Sequence, residues 1–124
     1  MREIRFRAYI KDEGRLLNVN LIDFDDEYVR VWDEYGENEE ECFLKDCELM
    51  QYTGLKDGND TEIYEGDIVI RIDDSSDKVS LVKYMDSGAR FTANRVSMYQ
   101  PDERRNYQII GNKFQNPELL EGAE

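Results

Sequence analysis

Two cysteines, a large excess of carboxylates and a complete lack of histidine decide which chemistry this 124-residue chain can attempt. Without histidine the commonest general base, the usual zinc ligand and the ordinary pH switch are all missing. Cys42 and Cys47 are separated by four residues, too many for a Cys-x-x-Cys redox pair, and no second pair completes a tetrahedral zinc site. A cysteine nucleophile needs a neighbouring base, which this composition does not offer, so both thiols read as small buried hydrophobes. Among 29 acids some pair meets the spacing of a glycosidase by chance, so carboxylate pairing carries no signal. The run Asp57-Gly58-Asn59-Asp60-Thr61-Glu62 gathers hard oxygen ligands, but position 12 counted from Asp57 is Ile68, where a calcium loop requires a bidentate glutamate. Asp73 to Asp77 has the simpler reading of a solvated hairpin turn. No strand, glycine-rich loop and helix of the phosphate-cradling kind is present. The sequence therefore predicts a protein that is not an enzyme, the one exception being a carboxylate-based hydrolase, with no catalytic residue, no metal and no cofactor.

Binding remains, and the charge pattern says of what kind. Subtracting 29 acids from 16 bases leaves a net charge of −13, which opposes nonspecific attraction to nucleic acid or anionic lipid. Between Asp23 and Glu41, ten of nineteen residues are acidic and only Arg30 is basic. One account is a charged edge that keeps strands from pairing with strangers and keeps the protein soluble. The other is an interaction face for a basic protein partner, carried by Glu37, Glu39, Glu40 and Glu41. In its most specific form that face imitates DNA phosphates, with Tyr28, Trp32 and Tyr35 as anchors, although Trp32 is expected in the core. The contrasting reading is a small β-barrel that binds nucleic acid through Arg5 and Arg7. They belong to a cluster with Arg2 and Arg15, while Arg90, Arg95, Arg104 and Arg105 lie late in the chain.

The elements that must position these groups are strands. Apolar residues at 4, 6, 8 and 10 alternate with Arg5 and Arg7, the two-residue period of a half-buried strand. Lys11-Asp12-Glu13-Gly14 supplies a turn, and Leu17, Val19 and Leu21 alternate in a return strand, which predicts a β-hairpin. Tyr28 to Trp32 is a β-branched and aromatic run, closed by the turn Asp33-Glu34-Tyr35-Gly36. After the acidic stretch 37–41, Cys42-Phe43-Leu44 and Leu49-Met50-Gln51-Tyr52 are short extended segments. Asp67 to Ile72 is the most strand-like run, with Ile68, Ile70 and Ile72 on one face and Val69 opposite. Residues 79–84 and 89–93 follow as antiparallel partners across acid-and-glycine turns, the second at Asp86-Ser87-Gly88. Met98 to Asn106 reads as a loop, Tyr107 to Ile110 as a closing strand, Asn116-Pro117-Glu118 as the cap and first turn of a short helix, and the tail beyond Leu120 as frayed. The fold class is mainly β: an N-terminal hairpin and sheet region packed with a small antiparallel, barrel-like sheet and a short C-terminal helical turn. One domain spans 1–124, divisible into lobes of about 1–53 and 54–120. Neither a signal-peptide core nor an apolar membrane span is seen, which predicts a cytoplasmic protein with reduced thiols.

Three blocks resemble the YopX family of phage and prophage proteins of Gram-positive bacteria. They are Met1 to Tyr9, then Leu49 to Asp57 running on to Glu62 to Val69, and finally Ile109-Ile110-Gly111-Asn112 with Asn116 to Leu120. Order and spacing match across nearly the whole chain. The sequence departs from the family at Tyr9-Ile10, where tryptophan and aspartate are frequent, and at Gly58-Asn59-Asp60, where lysine or a second glycine is usual. Both are turn or edge positions, so the departures bear on local geometry. The resemblance implies a mainly β fold, a phage or prophage origin and an intracellular accessory role, and it brings no catalytic residue with it. Gly54, Gly58 and Gly66 of the middle block fill positions of special backbone geometry, or else frame a recognition loop built from Tyr52, Lys56, Asp57 and Tyr64. The resulting expectation is a noncatalytic module with an unidentified protein partner. Self-association into a homo-oligomer is open to it because edge strands pair readily.

Overall fold

The alternating segments form eleven strands in a computed structural model that describes residues 4–71, 79–85, 90–93, 96–97 and 107–121. The turns read at Asp73 to Asp77 and Asp86 to Gly88, the loop Met98 to Asn106, the frayed end, Ile72, Arg2, Arg95, Arg104 and Arg105 fall outside those residues, or in the frayed end's case very largely so. The chain divides between Gln51 and Tyr52 into two compact units, each antiparallel and each with its own core.

In the first unit β1 (Phe6–Ile10), β2 (Arg15–Asp23), β3 (Tyr28–Trp32), β4 (Glu39–Phe43) and the start of β5 (Cys47–Lys56) lie in the order β4-β3-β2-β1-β5. The hairpin read from the N-terminus is present, with Gly14 at φ 68° donating its N–H to the Ile10 carbonyl at 2.8 Å. At that left-handed angle a residue with a Cβ is strained, so the turn needs glycine. A single 3₁₀ turn (Leu44–Asp46) joins β4 to β5, the two outer strands of this order. Three linking residues reach so little distance that the sheet must curl until its ends approach. The curl encloses Ala8, Ile10, Leu17, Val29, Val31 and Cys47.

Two details differ from simple alternation. A β-bulge between Val19 and Leu21 inserts one residue, so the face that begins with Leu17 and Val19 continues at Ile22, which packs on the core, and not at Leu21. The acidic stretch is itself a strand: Glu39, Glu40 and Glu41 pair with Trp32, Val31 and Arg30. Trp32, expected inside, is 38% exposed, because Val29 and Val31 already fill the inward positions of its five-residue strand.

The second unit continues from the far half of β5, which β6 (Glu62–Tyr64) joins through Tyr52↔Tyr64 and Lys56↔Glu62. Its main sheet has the order β10-β9-β8-β7-β11, from β7 (Asp67–Arg71), β8 (Val79–Met85), β9 (Arg90–Ala93), β10 (Val96–Ser97) and β11 (Tyr107–Asn112). The sheet is open, with β10 and β11 at its two ends. Ile63, Val69, Val82, Phe91, Ala93 and Tyr107 form the core. Val69 is therefore a core residue and Ile70 only half-buried, the reverse of the face read from alternation; Ile68 is buried as well. A start buried on both faces removes the polar alternation on which the reading depended. Pro117 opens a final 3₁₀ turn (Pro117–Leu120). Asn116 precedes it without a side-chain cap bond to the turn; its Oδ1 instead accepts the Asn112 N–H at 3.2 Å.

Candidate functional site

Strand pairing sorts the acidic segment into two faces. Directly opposed residues of an antiparallel pair share a face, so Trp32 with Glu39, Arg30 with Glu41, and Tyr28 with Phe43 form three outward rows, while Val31 with Glu40 and Val29 with Cys42 face inward. The burial of β4 follows this rule: Glu39, Glu41 and Phe43 are exposed, Glu40 and Cys42 half-buried. Since β4 ends the strand order, the outward rows lie at a sheet margin.

Glu40 is held at the mouth of the core by Arg15, which reaches across from β2. The Arg15 guanidinium donates to Glu40 Oε1 and Oε2 at 3.0 and 2.8 Å, to Glu34 Oε2 and Oε1 at 2.7 and 2.8 Å, and also to Glu13. These charge-assisted bonds hold the Glu40 and Glu34 carboxyls below their usual range and bind the Arg15 proton more firmly. The outward acids are less engaged. Arg30 donates to Glu41 at 3.3 Å and Asn20 Nδ2 to Glu39 at 2.7 Å. Glu37 is exposed beside the turn that Asp33 organises. The Asp33 carboxyl is held low first by the Glu37 N–H at 2.9 Å, then by Asn38 and the Tyr35 N–H. Phe43 and Tyr35 are 59% and 82% exposed, and Phe24, in the turn before β3, is exposed with them.

The middle-block residues are placed differently. Asp57 is buried, and its carboxylate accepts three main-chain bonds: from Asn59 and Thr61 at 2.9 Å each on Oδ1, and from Ile109 at 3.1 Å on Oδ2. The Gly58 N–H adds a bond to the Tyr107 carbonyl at 2.8 Å, so the 57–61 turn is stapled to β11. Tyr52 and Tyr64 are buried with ring centroids 5.5 Å apart. Lys56 is half-exposed and lies 3.9 Å from Asp60. Buried Asp67 accepts the Tyr64 N–H at 2.8 Å, closing the β6–β7 turn, in which Gly66 takes φ 93°. Of the four residues read as a recognition loop, only Lys56 offers its charged end to a partner. Arg5 and Arg7 are half-buried, Arg7 on β1 between β2 and β5, and present no exposed basic strip.

The two thiols belong to one inward surface of the first unit. Cys47 is a core residue and Cys42 packs against the same cluster; both are free, and their thiols donate to the Leu44 carbonyl at 3.8 Å and the Phe43 carbonyl at 3.5 Å, respectively. Burial pushes the Cys47 thiol up to about 11 and raises that of Cys42 as well, so neither is a thiolate near neutral pH. Among the described residues no group of three or more cysteine, aspartate or glutamate side chains is arranged to hold a metal ion, and no helix is long and apolar enough to cross a membrane. Sequence reading missed Arg15 as the organiser of the acidic segment and Phe43 as an outward aromatic. The alternation Glu39, Glu41, Phe43 was the available signal for the latter.

A family model described as YopX protein matches residues 5–121. A solved structure, that of protein EF1440 from Enterococcus faecalis, is similar at 26% identity and a TM-score of 0.72, over 97% of this chain and 99% of the other. None of the curated proteins matches the sequence.

Proposed function

Because the chain belongs to the YopX family, we propose that it is a noncatalytic phage or prophage accessory protein that works in the host cytoplasm by binding a basic protein partner. The observation that carries this reading is the outward face of β3 and β4, where Glu39 and Glu41 alternate with exposed Trp32 and Phe43 at the margin of a sheet. Exposed aromatics supply contact area at low entropic cost, and carboxylates beside them select for positive charge and speed encounter. A partner of opposite charge is favoured over a second copy, since two chains of net charge −13 repel each other.

The test reverses Glu37, Glu39 and Glu41 to lysine and leaves Glu40 in place, because Glu40 belongs to the Arg15 cluster and its reversal would unfold the edge it is meant to probe. Tagged protein of both forms is used to capture partners from nuclease-treated host lysate, with circular dichroism confirming that the variant is folded. The expected result is a basic partner that withstands nuclease and is lost on reversal. Capture that survives reversal, or that disappears with nuclease in the parent protein, overturns the reading.

A further inference from the structure

Resting on that reading, we propose that the Phe43 ring and the two hollows beside it form a seat for arginine side chains of an extended basic protein segment. Phe43 ends β4 and borders both hollows. One is about 360 Å³, lined by Asp26, Glu27, Phe43, Leu44 and Lys45. The other is about 510 Å³ and includes Asp26, Tyr28, Glu41, Cys42 and Phe43 in its wall. Both volumes fall within the ~300–1,000 Å³ range of small ligand sites, room enough for a long side chain. Each hollow thus brings Phe43 together with carboxylates in its lining.

The ring already carries a cation. Lys45 Nζ stands 5.8 Å from the Phe43 centroid, in the hollow that Asp26 and Glu27 border. An internal ammonium in that position shows that the ring accepts positive charge, and Asp26 and Glu27 line the same hollow. A guanidinium suits the place better than an ammonium. It is planar and lies flat on a ring, is weakly hydrated, and presents paired N–H donors that match a carboxylate. The Tyr28 ring across the strand pair widens the apolar floor, and Glu41 at the margin extends the acidic rim along β4. In an extended chain neighbouring side chains point to opposite sides and every second one returns to the same face about 7 Å further on, so alternate arginines of one segment face the two hollows that Phe43 borders. Phosphate-bearing ligands are repelled by the same rim, so the occupant is a protein segment.

The probe is a fluorescently labelled nona-arginine peptide, with nona-lysine of equal charge as comparison and a duplex oligonucleotide as the opposite case. Anisotropy titrations at low and at 150 mM salt use the full chain, Phe43→Leu, and the Glu37, Glu39, Glu41 reversal described above. Leucine keeps the exposed position apolar while deleting the ring, and circular dichroism verifies the fold. Nona-arginine is expected to bind about fivefold tighter than nona-lysine, and Phe43→Leu to bring the two together, largely by weakening the arginine peptide. Equal affinities for the two peptides, or an arginine preference that survives Phe43→Leu, overturn the seat while leaving the acidic face standing if reversal still abolishes binding. No binding of either peptide at low salt, or preference for the oligonucleotide, removes both.

Discussion

Replacing Asp57 separates a structural from a recognition role for the loop it begins. The side chain is 1% exposed and its carboxylate accepts three main-chain N–H bonds, two from its own turn and one from Ile109, 52 residues away. Hydrogen bonds to a charged group contribute roughly 1.5–3 kcal/mol each, and removing their common acceptor leaves the donors without it. Because the three act as a unit, Asp57→Ala is expected to cost about 3–5 kcal/mol rather than their simple sum. Asp57→Asn is the sharper variant. Its amide oxygen can still accept from Asn59 and Thr61, but its NH₂ then faces the Ile109 N–H, donor against donor, at a cost of about 1.5–3 kcal/mol. Asp60→Asn is the control, an equal change of charge in the same turn. Asp60 is exposed and sits at φ 67°, which asparagine tolerates, so the change should stay within about 0.5 kcal/mol. Urea unfolding followed by far-ultraviolet circular dichroism gives the three values, and amide exchange at Ile109 localises the effect. If Asp57→Asn is as stable as Asp60→Asn, or if Ile109 exchange is unchanged, the staple does not exist and the loop is free to serve recognition.

Two further outcomes concern titration. Cys47, with its thiol raised from 9.0 to about 11 by burial, has roughly 100-fold less thiolate than an unperturbed cysteine near neutral pH. Iodoacetamide labelling of native protein at pH 7.5 should therefore be at least that much slower at Cys47 than in urea, and native stability should fall as the pH climbs from about 9 towards 11, where the unfolded thiol ionises first. Rapid native labelling would contradict the buried placement. Arg15→Gln removes the group that holds Glu34 and Glu40 below 4.5. A depressed carboxyl stabilises the fold fully above its unfolded value and loses that contribution as the pH drops through its folded one. The gap in urea midpoint between parent and variant should then be widest above pH 4.5 and close in stronger acid; a gap that does not change with pH would show that Arg15 acts through packing alone.

Strand existence was legible because a two-residue period survives in a single sequence wherever one face is buried. The hairpin 6–23 and β3 follow it, β7, β8, β9 and β11 stand out as β-branched and aromatic runs between turns, and the 3₁₀ turn at 117–120 follows from Pro117. Faces and lengths were less legible, for a local reason each time. The bulge after Val19 shifts the inward set by one residue, an insertion that leaves no trace in composition. β5 runs on through Gly54 to Lys56 because a register shift between Tyr52 and Lys56 absorbs a glycine at φ 87°, where punctuation suggested an end. Glutamate disfavours strands on its own, yet β4 forms because Glu40 and Cys42 meet Val31 and Val29 across the pair, so tertiary pairing overrides propensity.

The candidate site shows the same limit in its electrostatics. Read along the chain, residues 23–41 hold ten acids and one base, and each acid has equal claim on a partner. Antiparallel pairing then brings Arg15 onto Glu40, 25 residues away, and Glu34, 19 residues away, which spends two of those charges on the fold and places Glu39 and Glu41 on the opposite face. What reaches a partner is consequently set by strand parity rather than by acid count: odd-numbered positions of β4 look outward, and Phe43 is one of them. An acid added at an outward position should strengthen basic partners, whereas one added at an inward position should cost stability first, because it would enter the core without an arginine to meet it.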